Sequence, residues 1–202
     1  MLQDCGCKLC NKMNISIFFF KVFLLIWSMP AIAHNDESLI RVLGQPGVII
    51  LMRHSETDPG VGDPPGFQVD DCRTQRNLSQ QGIAQADRFG RWLERHNFHP
   101  HRVRSSQWCR CIDTANAAFG NRIKVTSWSA LNSFFQGHGN RTAQLKEARE
   151  SALKITSGFE VWVTHQVVIS ALTDRNLSMG EFVVVKAQPH GFLEVLGQWK
   201  VH

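Results

Sequence analysis

Four side chains stand where apolar runs give out. Arg53 and His54 follow the run Val48–Met52, Arg110 lies just beyond Ser105-Ser106, and His165 follows Val161–Thr164. Two guanidinium groups at one site suit a tetrahedral dianion, because their forked N–H donors match phosphate oxygens and stay charged. A neutral imidazole can attack phosphorus and carry the phosphoryl group, dividing one hard displacement into two easier ones. A second imidazole can donate to the equatorial oxygens as charge spreads over them in the transition state. Such a set needs no metal and no other cofactor, and the partner it implies is a small phosphorylated substrate. Taken singly, a histidine after an apolar strand is more often structural. The joint placement of all four is the signal.

These residues need elements that bring them together. Beyond residue 33 the sequence alternates strand and helix patterns, which predicts an α/β sheet covered on both faces. Val48–Met52 reads as a buried strand, followed by short strands over residues 102–105, 123–125 and 161–164. The stretches EFVVV and GFLEVLGQW read as a closing hairpin. Ser79 is a good N-cap for a helix running to His96, with Ile83, Ala86, Phe89, Gly90 and Leu93 on one face. Further helices are predicted over residues 108–119, 142–153 and 167–172. Ligands of such sheets bind beyond the carboxyl ends of the strands, which is where the four residues fall. The Gly-, Pro- and Asp-rich stretch Ser55 to Asn77 is long for a loop, and its flanking motifs make a functional role the expectation. Phe134 and Phe135 read as loop packing and Trp108 as core.

The first 33 residues stand apart. Lys8 and Lys12 precede the apolar run ISIFFFKVFLLIWS, and Ala31-Ile32-Ala33 follows it, which together make the three parts of a secretory signal. The run is shorter than the ~20 residues a spanning helix needs. Cleavage after Ala33 is therefore expected, leaving no stable membrane span and one domain over residues 34–202, periplasmic or secreted. Met13 is an alternative start that would leave out residues 1–12 with Cys5, Cys7 and Cys10, among which four closed metal ligands are not visible. Losing Lys8, Lys12, Lys21 and Asp4 lowers the formal charge of +5 by two. The remaining excess suits a small anion and is too weak to argue for nucleic acid. Of the cysteines left, Cys72 is expected to pair with Cys109 or with Cys111, leaving one free thiol.

Leu51-Met52-Arg53-His54 resembles the Arg-His signature of the histidine phosphatase superfamily, in its phosphoglycerate-mutase-like branch. Residues 76–82 are similar to that family's lead into its first helix, residues 105–115 to its second signature, and Val163-Thr164-His165 to its second histidine motif. The resemblance spans residues 47 to 197. It implies a mostly parallel central sheet with helices on both faces, no metal, and His54 as a nucleophile forming a phosphohistidine. It also implies that Arg53, Arg110 and His165 hold the phosphoryl oxygens. Arg76 either reaches the phosphate too or holds the loop through a carboxylate such as Asp70 or Asp71. Exported relatives include a phosphatase acting on the heptose phosphate of lipopolysaccharide core, so an envelope glycan phosphate is the implied substrate.

Two positions depart from the family pattern. Ser55 stands where glycine is usual. Asn132 stands where many members carry a glutamate, and an amide cannot give up a proton to a leaving alkoxide. Three accounts stay open. One of Asp58, Asp63, Asp70, Asp71 or Glu181 supplies the acid; or the leaving group needs little protonation, as in a phosphohistidine or an acyl phosphate; or the chain is a non-catalytic phosphate- or anion-binding module. The favoured expectation is a metal-independent phosphomonoester hydrolase, with the binding module as its rival. A Cys72–Cys109 disulfide would pin the long loop over the phosphate pocket.

Overall fold

The computed structural model describes residues 31–120 and 122–201. The expected export segment lies outside the described residues up to residue 30, and the expected cleavage point after Ala33 falls within the first helix, α1 (Ala31–Leu43). The alternating pattern does not predict α1. It is held by Leu39 and Leu43, one turn apart and buried, and by Asp36 and Ser38, which accept from the indole N–H groups of Trp92 and Trp199.

Six strands build one sheet: β1 (Val48–Arg53), β2 (Arg102–Ser105), β3 (Val125–Ser127), β4 (Phe159–Thr164), β5 (Phe182–Ala187) and β6 (Leu193–Trp199). Their order is β3-β2-β4-β1-β5-β6. The first four in that order run parallel, whereas β5 and β6 form the expected hairpin, in which β5 pairs antiparallel with β1 and β6 with β5. Side-chain alternation divides the core in two, as the period of a strand requires. Val48, Ile50 and Met52 of β1 enter one apolar cluster, and Ile49 and Leu51 enter the other. α1, α2 (Gln80–Arg95) and α3 (Cys109–Phe119) cover the first, while α4 (Arg141–Ala152) and α5 (Gln166–Thr173) cover the second. The mostly parallel α/β sandwich is therefore the observed fold. Among the described residues no helix is long and apolar enough to cross a membrane.

Two local expectations shift. β3 lies two residues later than predicted, because Val103 and Ser105 of β2 register with Val125 and Ser127; Ile123 instead packs from the turn before it. Ile83 is 43% exposed, although α2 is capped by Ser79 as expected, its Oγ accepting from the Gly82 N–H. The buried face of α2 is turned toward Gly82, Gln85, Ala86, Phe89, Gly90 and Leu93. The two glycines explain the rotation. A Cβ at Gly82 would collide with the Glu56 carbonyl and one at Gly90 with the Ala118 carbonyl, so both helix-to-backbone contacts exist only because a side chain is missing. Gly90→Ala would force α2 and α3 apart, and we expect a loss of about 3 kcal/mol, read from the midpoint of urea unfolding.

Candidate active site

Four parallel strands end at one edge, and the ladder there runs one residue past the strands. Arg53 registers with Thr164 and Ser105 with Val163. The His54 N–H then donates to Thr164 and the Ser106 N–H to Val163, each at 2.9 Å. His54, Ser106 and His165 are thereby placed side by side by backbone pairing alone. His165 is the N-cap of α5, and Arg110 lies in the first turn of α3. Thr114, one turn on, accepts from the Ser55 N–H (2.9 Å) and donates to the Arg110 carbonyl (2.7 Å), tying the turn after His54 to the helix that carries Arg110. The result is a cleft of about 340 Å³ lined by Arg53, His54, Arg76, Arg110 and His165 on its polar side.

The two imidazole rings meet edge to face with centroids 5.6 Å apart. His54 Nδ1 lies 2.9 Å from the Ser55 carbonyl, which can only accept, so Nδ1 carries the proton and Nε2 holds a lone pair. Burial pushes the His54 pKa down to about 3, and the charges of Arg110, Arg53 and Arg76 push the same way against the Ser55 hydrogen bond. His165 is likewise driven well below its ordinary value, by burial first and then by His54 and the arginines. Both rings are neutral at physiological pH. His165 Nε2 faces the Ser106 hydroxyl at 2.8 Å and the Cys111 thiol at 3.5 Å. Burial pushes that thiol up to about 12, so it stays protonated. The Ser106 hydroxyl donates to Asn132 Oδ1 at 3.2 Å, which leaves its lone pairs facing His165 Nε2.

The long stretch 55–77 is a strap held at several points. Cys72 and Cys109 form a disulfide next to Arg110, while Cys111 is a buried free thiol. Gln75 accepts from the Cys109 N–H and donates to the carbonyls of Gln68 and Val69. Arg76 holds the strap, but not through Asp70 or Asp71. Its Nε donates to Gly62 and its Nη1 to Gly60 and Thr57, while Nη2 is left without a protein partner. The central contact is Asp63, whose oxygens take Arg110 Nη1 at 2.6 Å and Nη2 at 3.2 Å, the Arg76 N–H at 3.0 Å and the Trp108 indole at 3.0 Å. Burial works against this carboxylate, but the Arg110 hydrogen bonds and charge and the Arg76 and Trp108 donors outweigh it and hold it below its usual range.

The acid candidates read from the sequence do not converge. Asp58 and Asp70 are exposed, Asp71 caps the turn 72–74 and pairs with Arg73, and Glu181 accepts from the Ser178 N–H and from Gln198. Asp63 alone reaches the arginines, as an ion pair. No carboxyl lines the cleft among the described residues. Asn132 Oδ1 accepts from the Gln107 N–H and lies 3.2 Å from the Ser106 hydroxyl, and its Nδ2 donates to Gln107 Oε1. The expectations for the aromatics divide. Phe134 packs into the core, whereas Phe135 is exposed at the cleft mouth. Trp108 is buried as expected and also packs its ring 5.4 Å from His165. Ser55 is fully buried and its hydroxyl has no partner among the described residues, so only its backbone serves the site. Ser106, Thr114 and Gln75 do add to it, and only the tertiary placement makes them visible.

The six-strand, mostly parallel sheet with helices on both faces, and a cleft of two neutral histidines and three arginines at its edge, make this an α/β protein of the phosphoglycerate-mutase-like type. The chain belongs to the histidine phosphatase superfamily, whose branch 1 model matches residues 49–159. No curated protein sequence matches it significantly. It is similar in fold to the protein histidine phosphatase SixA, solved with tungstate, at 13% identity over 76% of this chain and 96% of that one, with a TM-score of 0.57. A putative α-ribazole-5'-phosphate phosphatase from Escherichia coli aligns at 17% identity, 75% and 95% coverage and a TM-score of 0.53. A mycobacterial glucosyl-3-phosphoglycerate phosphatase aligns at 17% identity, 68% and 89% coverage and a TM-score of 0.51. The likeness is one of fold.

A histidine whose folded pKa lies below its unfolded value weakens the native state as pH falls, because the unfolded chain takes the proton first. With 6.5 unfolded and about 3 folded, His54 alone should remove about 2 kcal/mol of stability between pH 7 and pH 5. Urea unfolding at the two pH values measures this, and His54→Gln should flatten the dependence.

Proposed function

We propose that the protein is an exported, metal-independent phosphomonoesterase that works through a phosphohistidine on His54. The observation that carries this reading is the state of His54. Its proton is held on Nδ1 by the Ser55 carbonyl, and its Nε2 lone pair stands in a cleft with three guanidinium groups. Attack of Nε2 on phosphorus forms a P–N bond as the P–O bond to the leaving group breaks. The Ser55 carbonyl then stabilises the positive charge that develops on the ring. Water cleaves the P–N bond in the second step, restoring the imidazole and releasing phosphate.

The surrounding donors fit the charge that moves. Among the described residues, Arg53 and Arg110 each keep a buried Nε without a protein partner, Arg76 keeps Nη2, and the His165 ring lines the same cleft. Three guanidinium charges less the Asp63 carboxylate leave two, which balances a phosphate dianion. A neighbour of the same fold binds tungstate, a tetrahedral oxyanion, and others are described as phosphatases of small phosphate esters. Export is supported by the signal-like segment read from residues 1–33 and by the Cys72–Cys109 disulfide.

The purified protein should hydrolyse p-nitrophenyl phosphate in the presence of EDTA and accumulate an acid-labile, alkali-stable phosphoprotein. His54→Ala should reduce the rate by at least about a thousandfold. Loss of activity in EDTA, or activity that survives in His54→Ala, would sink the mechanism. A folded protein that binds phosphate and turns nothing over would instead be the anion-binding module.

A further inference from the structure

We propose that the cleft takes phenolic phosphate monoesters, with the aryl leaving group seated against Val61, Phe135, Val167 and Met179. The proposal rests on the phosphatase reading above and narrows it to a substrate class. Two observations of different kinds lead to it: one concerns the proton inventory of the cleft, the other the surface of its mouth.

The proton inventory is short. Among the described residues the lining contains no carboxyl group, and Asp63, which pairs with the lining Arg110, is surrounded by donors from Arg110, Arg76 and Trp108. Asp63 has no proton to give and is committed to holding Arg110. The Asn132 amide, at the position where an acid was expected, is tied to Gln107 and Ser106. Neither histidine is protonated twice. When the P–O bond breaks, its electron pair must therefore leave on oxygen unassisted, and the anion takes its proton from water afterwards. A phenolate, whose conjugate acid has a pKa of about 10, can depart in this way; an alkoxide, several units more basic, is a far poorer leaving group. This argues against the sugar alkoxide of an envelope glycan phosphate.

The mouth supplies the second constraint. Around the cationic floor stand Val61, Phe135, Val167 and Met179, with Ser133 and Gln166 as the polar exceptions. Val61 is 90% exposed at the tip of the strap, and Phe135 is 43% exposed opposite it. The two loops approach closely there, since a Cβ on Gly62 would lie 3.9 Å from the Phe135 ring. An exposed valine and an exposed phenylalanine lining the same cleft as three guanidinium groups form an amphipathic opening. It suits a ligand that is apolar at one end and dianionic at the other. An acyl phosphate or a phosphohistidine meets the leaving-group constraint but brings a small or polar body that has no use for this rim. An apolar cavity of about 150 Å³ holds a benzene ring, so the cleft of about 340 Å³ has room for a ring and a phosphoryl group.

The test compares kcat/KM, which reports the phosphorylation step, for p-nitrophenyl phosphate, phenyl phosphate, acetyl phosphate and 2-glycerol phosphate. Without an acid, glycerol phosphate should fall about a thousandfold below the aryl esters. Phe135→Ala and Val61→Asp should each lower the ratio of aryl to acetyl phosphate turnover about tenfold. Glycerol phosphate cleaved within tenfold of phenyl phosphate would overturn the proposal, since a proton donor would then be at work. Acetyl phosphate preferred over the aryl esters, or a ratio indifferent to both rim variants, would overturn it too, while leaving the phosphatase reading intact. No turnover of any ester by the folded protein would bring down the phosphatase reading itself. Free phosphotyrosine and a tyrosine-phosphorylated peptide, assayed beside phenyl phosphate, distinguish a small ester from a protein side chain as the source of the ring.

Discussion

Three like charges in one half-buried cleft are the constraint to which the rest of this site answers. Arg53 and Arg76 are both pushed down in pKa, by burial first and then by neighbouring guanidinium groups. Asp63 relieves that repulsion. Its carboxylate and the Arg110 guanidinium are 7% and 5% exposed, and breaking a buried pair from one side leaves an uncompensated charge worth several kcal/mol. Asp63 can act only if the strap holds it in place. The Cys72–Cys109 disulfide and the Gln75 amide attach that strap to the helix that carries Arg110, and the Arg76 side chain braces the strap from within. The loop is thus part of the binding machinery, because the charge balance of the cleft depends on it.

The same positive field sets the state of the histidines. Cations close to a buried imidazole disfavour its protonation, so an arrangement that attracts a dianion also keeps His54 and His165 neutral. In the proposed mechanism, nucleophile and anion trap are one electrostatic device. What remains is the choice of tautomer, which for His54 a short-range contact decides, the Ser55 carbonyl.

Much of this was legible in the sequence because it is local. A strand that ends in Arg-His puts both residues at the sheet edge whatever the rest of the chain does, and Thr164-His165 and Arg110 follow the same rule. The mostly parallel sandwich followed from alternation and from family motifs. The through-space partners were not legible. Asp63 lies 47 residues from Arg110 and could not be told from Asp58, Asp70 or Asp71 in a loop where all four are polar and unpatterned. The exposure of Ile83 depended on how closely Gly82 and Gly90 let their neighbours approach, which periodicity does not encode. α1 lay within and beyond a stretch that reads as an export signal, where its two core leucines were too few to announce a helix.

Asn132 gains a positive meaning from the structure. Its amide accepts from the Gln107 N–H and donates to the Gln107 side chain, which a carboxylate could not do without binding a proton. That clasp holds the turn carrying Ser106, and Ser106 orients His165. An ionised glutamate at this position would add a negative charge beside the dianion's site and lose half of the clasp. A protonated one would supply the leaving-group acid. In the proposed reading, the position holds the turn beside the second histidine, and the chemistry left open is transfer from oxygens that can depart as anions. On that view the amide at 132, the ion-paired Asp63 and the apolar mouth are three parts of one specificity, set by which leaving groups need no help.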